Sequence, residues 1–552
     1  MTQYDTLIAG GRVVDGTGNP WFYGDVAITG DRIAKVAPPG TIDREDAATV
    51  IDATGHVVSP GFIDIQSHSI VPFLSDRRSL SKVTQGVTTE IMGELWTPAP
   101  VGGQIDAPFT GSLLYRLPEA EAREWDALAR TWTRFGDWLA ELERRRVGVN
   151  VGSFLGGGTL REYACGMRMG DATPDEIATM RRVVAESMED GAFGVATALI
   201  YPPNVYSTTP ELIACMEVVA ACHGIHITHM RSEADLIFDG LAETLEIAEK
   251  TGVITEIYHL KAVGKNNWAK MERVIATINA ARAAGIDVAA DMYPYDGSGT
   301  GLSACLPPWT AADGKLYTNI ADPVIRERIL KEMRDPDANW ENRGLNVGPE
   351  NIIVADLRHP DLVRYRGWRL QAIADDLGAD WPEAVLTLLD REQQRIFTMY
   401  LGISGENIQR QIQQPWIKFS TDAGGLDPAA VAGDGPTHPR SYGTYTRVIG
   451  PFVRDGWLTL EDAVRKCSSA VADRLGLRDR GLIRDDMKAD IIVFDPATVT
   501  DNATYVDPHR LSTGIRDVFV NSTAVLRDGT HTGALPGVRV NGPGYRGTRA
   551  MV

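Results

Sequence analysis

The stretch Pro-Gly-Phe-Ile-Asp-Ile-Gln-Ser-His-Ser, from Pro60 to Ser69, sets the organisation expected for the rest of the chain. Its apolar residues, Phe62 and Ile63, predict a short strand that ends in polar residues. Asp64, Gln66 and His68 alternate, so their side chains project from the same side of an extended chain. A carboxylate, an amide and an imidazole at one strand end form a candidate metal site, and a polar strand end exposed to solvent is the alternative.

The middle of the chain alternates apolar runs with helical patterns, which is typical of a parallel sheet built from βα units. Thr173-Pro174-Asp175-Glu176, for example, has an N-cap threonine, a proline at the first helical position and a glutamate three residues after the cap. Including the strand that leads to His68, eight strands are predicted. The other seven occupy residues 87–92, 149–154, 194–200, 225–230, 253–259, 286–293 and 416–422. Eight βα repeats predict an α/β fold of the (β/α)8 TIM-barrel type, with its active site at the carboxyl ends of the strands.

Both ends of the chain have a different pattern. Residues 6–58 and 489–526 contain short β-type runs separated by glycine-containing turns. Because chain termini tend to lie close together, we predict a small β-sandwich domain built from residues 1–58 and 480–552. The barrel would then occupy residues 59–479. A segment at about 296–352 is too long for an ordinary βα loop and favours a lid-like insertion, with a surface decoration as the alternative.

Several polar residues lie at or just past the carboxyl ends of the predicted strands. They are His68, Glu94, His229, His259 and Asp422. A single histidine at a strand end is usually a structural polar residue, but five such groups at one end of a barrel predict a metal site. Imidazole and carboxylate ligands favour Zn²⁺, and Mn²⁺, Fe²⁺ and Co²⁺ remain alternatives. All five are candidate ligands at this point, with Gln66 at the end of the first strand as a weaker further candidate.

Length and composition narrow the class of protein. A chain of 552 residues can form a large barrel and an accessory domain. The net charge of -18 disfavours binding to nucleic acid or to an anionic membrane, and the chain has no apolar run long enough to span a bilayer. The five cysteines are odd in number and show no C-x-x-C spacing. Together with the lack of a signal-peptide pattern, they predict a cytoplasmic protein.

Longer motifs carry a family resemblance over nearly the full length. They include Gly61-Phe62-Ile63-Asp64, Thr228-His229-Met230-Arg231-Ser232-Glu233, His259-Leu260-Lys261, Asp291-Met292-Tyr293-Pro294-Tyr295, Leu306-Pro307-Pro308-Trp309 and His438-Pro439-Arg440-Ser441-Tyr442-Gly443-Thr444. In these motifs the chain resembles the amidohydrolase superfamily and, within it, the N-acyl-D-amino-acid deacylase (D-aminoacylase) family. The resemblance implies a (β/α)8 barrel, a flanking β-sandwich and zinc.

The resemblance also implies roles for individual residues. His229 and His259 resemble the zinc-binding histidines of the family, and Asp422 resembles its catalytic aspartate. The residues that resemble those handling the substrate carbonyl and carboxylate are Lys261, Tyr293 and Arg440. For Tyr293 and Arg440 a purely structural role remains the alternative.

The chain departs from the family pattern at the metal site. Gln66-Ser67-His68 replaces the usual His-x-His, and Glu94 stands where the family has a cysteine. A carboxylate can replace a thiolate as an anionic ligand, so we expect Glu94, His229 and His259 to form the metal core. A second metal near His68 is left open. Gly157 and Ser298-Gly299-Thr300 also differ from the family and weigh against a simple N-acyl-D-amino acid as substrate.

The leading hypothesis is metal-dependent hydrolysis of the amide bond in an N-acyl-D-amino acid or a related small N-acylated compound. Asp422 would transfer the proton, Tyr293 would donate to the carbonyl oxygen and Arg440 would bind a carboxylate. Hydrolysis of a cyclic amide, an imide or a modified peptide is the first alternative. A non-catalytic scaffold is the second. The sequence leaves the oligomeric state open, with a homo-oligomer as one alternative.

Overall fold

The computed structural model describes residues 2–110 and 117–547. The strands within these residues are β1 (Tyr4–Val13), β2 (Phe22–Thr29), β3 (Arg32–Ala37), β4 (Ala47–Asp52), β5 (Val57–Pro60), β6 (Phe62–Asp64), β7 (Val87–Met92), β8 (Asn150–Ser153), β9 (Leu155–Gly156), β10 (Gly194–Ala198), β11 (Ile225–His229), β12 (Ile254–Ile257), β13 (Val288–Met292), β14 (Ser298–Gly301), β15 (Ile352–Val354), β16 (Phe397–Tyr400), β17 (Ile417–Phe419), β18 (Ile491–Phe494), β19 (Ile515–Val520), β20 (Thr523–Arg527) and β21 (Thr530–His531). Each of the eight runs predicted as parallel strands contains one of these strands.

The α-helices of the same residues lie mostly between the parallel strands. They are α1 (Ile70–Ser75), α2 (Leu80–Val83), α3 (Glu119–Ala129), α4 (Phe135–Arg145), α5 (Gly157–Cys165), α6 (Pro174–Glu189), α7 (Thr209–Ala221), α8 (Ile237–Thr251), α9 (Lys270–Ala283), α10 (Leu316–Ala321), α11 (Pro323–Met333), α12 (Arg343–Val347), α13 (Leu370–Leu377), α14 (Trp381–Glu392), α15 (Gly405–Ile412), α16 (Arg440–Arg447), α17 (Leu460–Cys467) and α18 (Ser469–Leu475). The predicted start of α6 is confirmed, because the Thr173 side chain accepts from the Glu176 backbone and Glu176 caps Thr173 in return.

The central strands form two parallel sheets. One has the order β17-β13-β12-β11-β10-β9 and the other the order β6-β7-β8. At one pair of edges, β8 and β9 are separated only by Phe154, and the backbone N–H of Phe193, just before β10, donates to the Ser153 carbonyl of β8 at 3.1 Å. At the other, the Asp422 N–H donates to the Gln66 carbonyl at 2.9 Å and the His68 N–H donates to Ala423 at 3.1 Å. Backbone hydrogen bonds therefore connect both edges of the two sheets.

Buried apolar side chains from both parallel sheets pack into one cluster. Ile63 of β6, Ile91 of β7, Ala196 of β10 and Ile227 of β11 all belong to it. Their burial fits the near-continuous apolar character of these strands, since parallel strands covered on both faces are typically apolar along their length. This packing fixes the strand ends that carry the polar residues.

A mixed sheet combines the two ends of the chain. Its order is β21-β20-β19-β18-β5-β1-β2-β3, with β4 paired to β1. The connection is the antiparallel pairing of β18 with β5, in which Phe494 lies opposite Val57. After β21 the chain leaves this sheet and runs beside β8, where the Val540 N–H donates to Val151. The boundaries 1–58 and 480–552 stay a prediction, and their extreme terminal residues lie outside the described ranges.

A long excursion separates β13 from β17. It contains a small antiparallel sheet of order β14-β16-β15 and the helices α10 to α15. The excursion has an apolar cluster of its own, which includes Leu306, Ile329, Tyr365 and Val385. It continues well past residue 352, because β16 and three further α-helices, α13 to α15, follow β15. Its interpretation as a lid stays a prediction.

None of the helices in residues 2–110 and 117–547 has both the length and the apolar character needed to cross a membrane.

Candidate metal centre and active site

One cavity of about 350 Å³ collects almost all the predicted site residues. Its lining includes His68, Glu94, His229, His259, Lys261, Tyr293, Asp422 and Arg440. Gln66 is the exception, since it lies behind Glu94 and does not line the cavity. Residues from the ends of separate parallel strands therefore meet in one space.

Tight backbone geometry places these side chains. Gly93 has a φ of 111°, and a Cβ there would lie 2.2 Å from the Phe154 carbonyl oxygen, so only glycine lets the chain turn from β7 towards Glu94. His259 and Asp422 also have positive φ angles, 34° and 49°, which are uncommon for residues with a β carbon. The His259 N–H donates to Asp291 Oδ1 at 3.0 Å, which helps to hold this conformation. Unusual backbone conformations of this kind cluster at functional sites.

Glu94 lies at the centre of the first candidate metal group. Its Oε1 is 3.4 Å from His229 Nδ1 and 3.4 Å from His259 Nε2. All three side chains are buried, and their ligand atoms lie within 4.8 Å of one another. Two imidazoles and one carboxylate are the ligand set of many catalytic zinc sites.

The second candidate group uses the other oxygen of the same carboxylate. His68 Nε2 lies 3.4 Å from Glu94 Oε2 and 2.9 Å from Asp422 Oδ1. On its other side, Asp422 Oδ2 is 2.6 Å from Arg440 Nη1. The Gln66 amide group donates to Glu94 Oε2 and its oxygen accepts from Ser420, so Gln66 holds the glutamate in place. Metal ligation by Gln66 stays a prediction.

A carboxylate for which the sequence pattern predicts no role lies behind both histidines. Glu233 is buried, with Oε2 3.4 Å from His229 Nε2 and Oε1 3.1 Å from His259 Nδ1. Lys261 Nζ is 2.6 Å from Glu233 Oε1, and Arg343 Nη2 donates to Oε2 at 2.7 Å. The sequence feature that could have indicated this role is the position of Glu233, four residues after the candidate ligand His229. Arg343 follows 110 residues later in the excursion, so no sequence spacing indicates its contact.

The carboxylates of the site are held in their charged form. Burial alone would raise the pKa of Glu94, but the imidazoles of His229, His259 and His68, each 3.4 Å from a Glu94 oxygen, outweigh it and hold the pKa well below its ordinary value. The pKa of Asp422 is also lowered, because Arg440 and His259 outweigh the effect of burial. Burial works against charge on His68, yet Asp422 and Glu94 raise its pKa to about 9. The cavity therefore concentrates negative charge where a cation can bind.

Unpartnered polar atoms test whether a metal fits this site. Both ring nitrogens of His229 are buried and have no hydrogen-bond partner among the described residues. Leaving a buried polar group unsatisfied typically costs about 1–3 kcal/mol. A divalent cation between His229, His259 and Glu94 would give one of these nitrogens a ligand bond. The chemistry of the donor set and the unpartnered imidazole therefore fit a metal.

Tyr293, Arg440 and Lys261 form one wall of the cavity. The Arg440 guanidinium lies 4.6 Å from the centre of the Tyr293 ring, and Lys261 Nζ lies 5.7 Å from it. The Tyr293 hydroxyl and Arg440 Nε are buried and have no hydrogen-bond partner among the described residues. Both can therefore donate to a ligand, whereas Lys261 already contacts Glu233 and His259.

Comparisons with known proteins identify the family to which the chain belongs. No family model matches it. It is 31% identical to the D-aminoacylase of Alcaligenes xylosoxydans xylosoxydans over 531 residues, which cover 96% of each chain.

Two solved structures are similar over 98% of this chain and all of theirs. One, 30% identical with a TM-score of 0.80, is a D-aminoacylase described for its binuclear metal center, with one-metal activation and second-metal attenuation. The other, 28% identical with a TM-score of 0.79, is an N-acyl-D-glutamate deacylase from Bordetella bronchiseptica with zinc and a phosphonate mimic of the tetrahedral intermediate. The predicted resemblance is confirmed, and the chain belongs to the N-acyl-D-amino-acid deacylase (D-aminoacylase) family of the amidohydrolase superfamily.

Proposed function

We propose that this protein is a metal-dependent amidohydrolase that cleaves the amide bond of an N-acyl-D-amino acid or a related N-acylated compound. The observation that carries the proposal is the position of Glu94 Oε1, 3.4 Å from a ligand nitrogen of both His229 and His259. The same cavity contains Asp422 and Arg440. Family membership supports the same reaction class, because the similar proteins are deacylases of N-acyl-D-amino acids.

We assign the metal to Glu94, His229 and His259, with zinc as the expected ion. When bound, such a metal supplies a Lewis acid that lowers the pKa of a water from 15.7 to about 7. His68 and Asp422 could take a second ion with the other oxygen of Glu94, because their ligand atoms also lie within 4.8 Å of one another. A second ion can bind there only if it replaces the hydrogen bond between His68 and Asp422, so that contact determines whether the site holds one metal or two.

Asp422 is the group we assign to proton transfer. Its lowered pKa keeps it ionised near neutral pH, so it can accept a proton from the attacking water. It can then deliver that proton to the leaving nitrogen. Arg440 and His68 hold its two oxygens, at 2.6 and 2.9 Å, and so fix its orientation. Proton transfer by a positioned carboxylate typically contributes about 10²–10⁴-fold to the rate.

Tyr293 and Arg440 are assigned to the substrate. Burial raises the pKa of Tyr293 well above its ordinary value, so its hydroxyl stays protonated and can donate to the carbonyl oxygen as negative charge develops. Arg440 can bind a substrate carboxylate through its unpartnered Nε. Lys261 lines the cavity but is bound to Glu233, so we assign it a supporting part in carbonyl or carboxylate binding.

We further propose that the two parallel sheets close into one (β/α)8 barrel within residues 59–479. The hydrogen bonds of Asp422 and His68 at one junction and of Phe193 to Ser153 at the other support this closure. The mixed sheet that joins both chain ends supports a flanking β-sandwich from residues 1–58 and 480–552. Five cysteines without a disulfide support a reducing compartment such as the cytoplasm.

A substrate panel tests the proposed reaction. Purified protein supplied with Zn²⁺ should release free amino acid from N-acetyl-D-methionine and N-acetyl-D-glutamate and leave the L enantiomers intact. Treatment with a chelator should abolish the activity, and Zn²⁺ should restore it. Activity confined to D-hydantoins would contradict the proposal, as would protein that binds no metal and hydrolyses nothing in the panel.

A further inference from the structure

A second cavity of about 340 Å³ adjoins the first. The two cavities share the lining residues Leu95, Tyr201, Thr300, Arg343 and Arg395. Leu95 directly follows the candidate ligand Glu94, and the Tyr201 ring packs against His229 with ring centres 5.5 Å apart. The second cavity therefore begins beside the candidate metal ligands and leads away from them towards Leu236 at the surface.

The lining of the second cavity is largely apolar. Its apolar residues include Leu95, Ile200, Pro202, Val205, Leu306 and Leu316. A volume of about 340 Å³ corresponds to roughly ten water molecules at the ~30 Å³ each occupies in the liquid. Such a space can hold an apolar chain of several carbons, and each buried methylene favours binding.

Two of the three arginines in the wall of this cavity are paired with carboxylates, and the guanidinium of the third, Arg395, lies 5.5 Å from the centre of the Phe397 ring. Arg343 contacts Glu233 and Glu341, each at 2.7 Å. Arg231 is paired with Glu243 at 2.8 Å. Because Arg343 and Arg231 are neutralised within the protein and most of the lining is apolar, the cavity favours an uncharged apolar group over a second carboxylate.

The position of the cavity indicates which part of a substrate can enter it. Asp422, Tyr293 and Arg440 line the first cavity but not the second. In an N-acyl amino acid, the carboxylate and the side chain both lie on the nitrogen side of the scissile carbonyl. The acyl chain leaves that carbonyl on the opposite side. With the carboxylate at Arg440 and the carbonyl beside Glu94, the group that points past Leu95 and Tyr201 is the acyl chain.

We propose that the second cavity is an acyl-binding site and that the preferred substrates carry a medium-length apolar acyl group. This inference rests on the proposed deacylase function. A hydrogen bond of 2.7 Å between the Tyr201 hydroxyl and Thr300 Oγ1 spans the wall that the two cavities share. Successive residues of β14 serve the two cavities, because the Gly299 carbonyl accepts from Arg440 while Thr300 contacts Tyr201.

Acyl chain length provides the direct test. The wild-type enzyme should hydrolyse N-octanoyl-D-methionine with a kcat/KM at least tenfold higher than that for N-acetyl-D-methionine. Ala304 lines only the second cavity, so Ala304→Trp should lower the octanoyl value at least tenfold and leave the acetyl value within about twofold. Ala321→Trp, at an exposed position away from the cavities, is the matched control and should change neither. Equal kcat/KM for both acyl groups, or an equal loss for both in Ala304→Trp, would overturn the inference.

Binding of the acid product separates this inference from the proposed function. In titration calorimetry, octanoate should bind the wild-type protein at least tenfold more tightly than acetate, and Ala304→Trp should remove that preference. Octanoate binding of this kind without any amide hydrolysis would support the cavity and reject the deacylase function. Hydrolysis without an octanoate preference would reject the cavity alone. If Ala304→Trp instead removed a preference for longer amino-acid side chains, the cavity would hold the side chain and the acyl assignment would be wrong.

Discussion

The two sides of Glu94 carry different kinds of metal group. On the histidine side, formed by His229 and His259, the exposed fractions of the two side chains are 4% and 3%. On the aspartate side, formed by His68 and Asp422, the His68 side chain is 29% exposed. Glu233 lies behind both imidazoles of the histidine side, whereas His68 makes its hydrogen bond directly to Asp422 across the site.

This difference indicates how each group would respond to a metal. On the histidine side, the ligand atoms already face Glu94 and their outer nitrogens face Glu233, so a cation can bind with little rearrangement. Outer carboxylates of this kind orient metal-binding histidines and increase their basicity. On the aspartate side, a metal must first replace the His68–Asp422 contact. We therefore expect the histidine side to hold the tighter site and Asp422 to remain available for proton transfer.

The largest expected effect comes from Glu94→Gln, because Glu94 belongs to both sides. Loss of its negative charge should reduce the metal content of the purified protein to the level of a blank. Activity should fall by several orders of magnitude, since the metal is what lowers the pKa of the attacking water. Elemental analysis and amino-acid release measure the two effects, and circular dichroism checks the fold. Full metal content in Glu94→Gln would reject Glu94 as a ligand.

The next effect should separate the two sides. Asp422→Asn removes the proton-accepting group but leaves Glu94, His229 and His259 intact. We expect full metal content on the histidine side and a kcat lower by about 10²–10⁴-fold. Metal analysis together with steady-state kinetics on the same sample is the measurement. Turnover at the wild-type rate would show that Asp422 is not the group that transfers the proton.

Glu233→Gln should have a smaller effect, confined to the histidine side. The amide keeps the shape of the side chain but loses the charge that faces His229, His259 and Lys261. Loss of such an outer carboxylate typically weakens metal binding by about 10–100-fold. Competition with a chelator measures the metal affinity directly. Glu243→Gln, which removes the ion pair with Arg231, is the matched control and should leave the affinity unchanged. The same weakening in both variants would indicate general destabilisation.

Some of this site could be predicted from the sequence and some could not. Glu94, His229 and His259 were found because each ends or follows an apolar run, and parallel strands bring such ends together. The role of Glu233 could not be predicted, because it comes from contacts with His259 of the next strand and with Arg343 of the distant excursion. The positions of the parallel strands were readable from apolar runs. The extent of the excursion and the presence of the second cavity could not be predicted, because both depend on how helices far apart in the sequence pack together.

The smallest expected effect is a pH dependence of stability in the metal-free protein. Burial works against charge on His68 and His259, but Asp422 and Glu94 raise the pKa of the first to about 9, and Glu233 and Asp422 raise the second to about 9. A pKa above the unfolded value of 6.5 stabilises the folded state below pH 6.5, and this contribution is lost as the pH rises through 9.

Chelator-treated protein should therefore show a Tm lower by roughly 2 °C at pH 9.5 than at pH 6.5, whereas metal-loaded protein should not, because ligand histidines bind metal in their neutral form. His68→Asn should remove the contribution of His68 to this pH dependence and leave that of His259. The Tm of its metal-free form should therefore fall by about half as much between pH 6.5 and pH 9.5. Thermal melts across this pH range measure both. A Tm that rises towards pH 9.5 in the metal-free wild-type protein would show that these histidines are neutral without metal, and the contrast between the two sides would then rest on geometry alone.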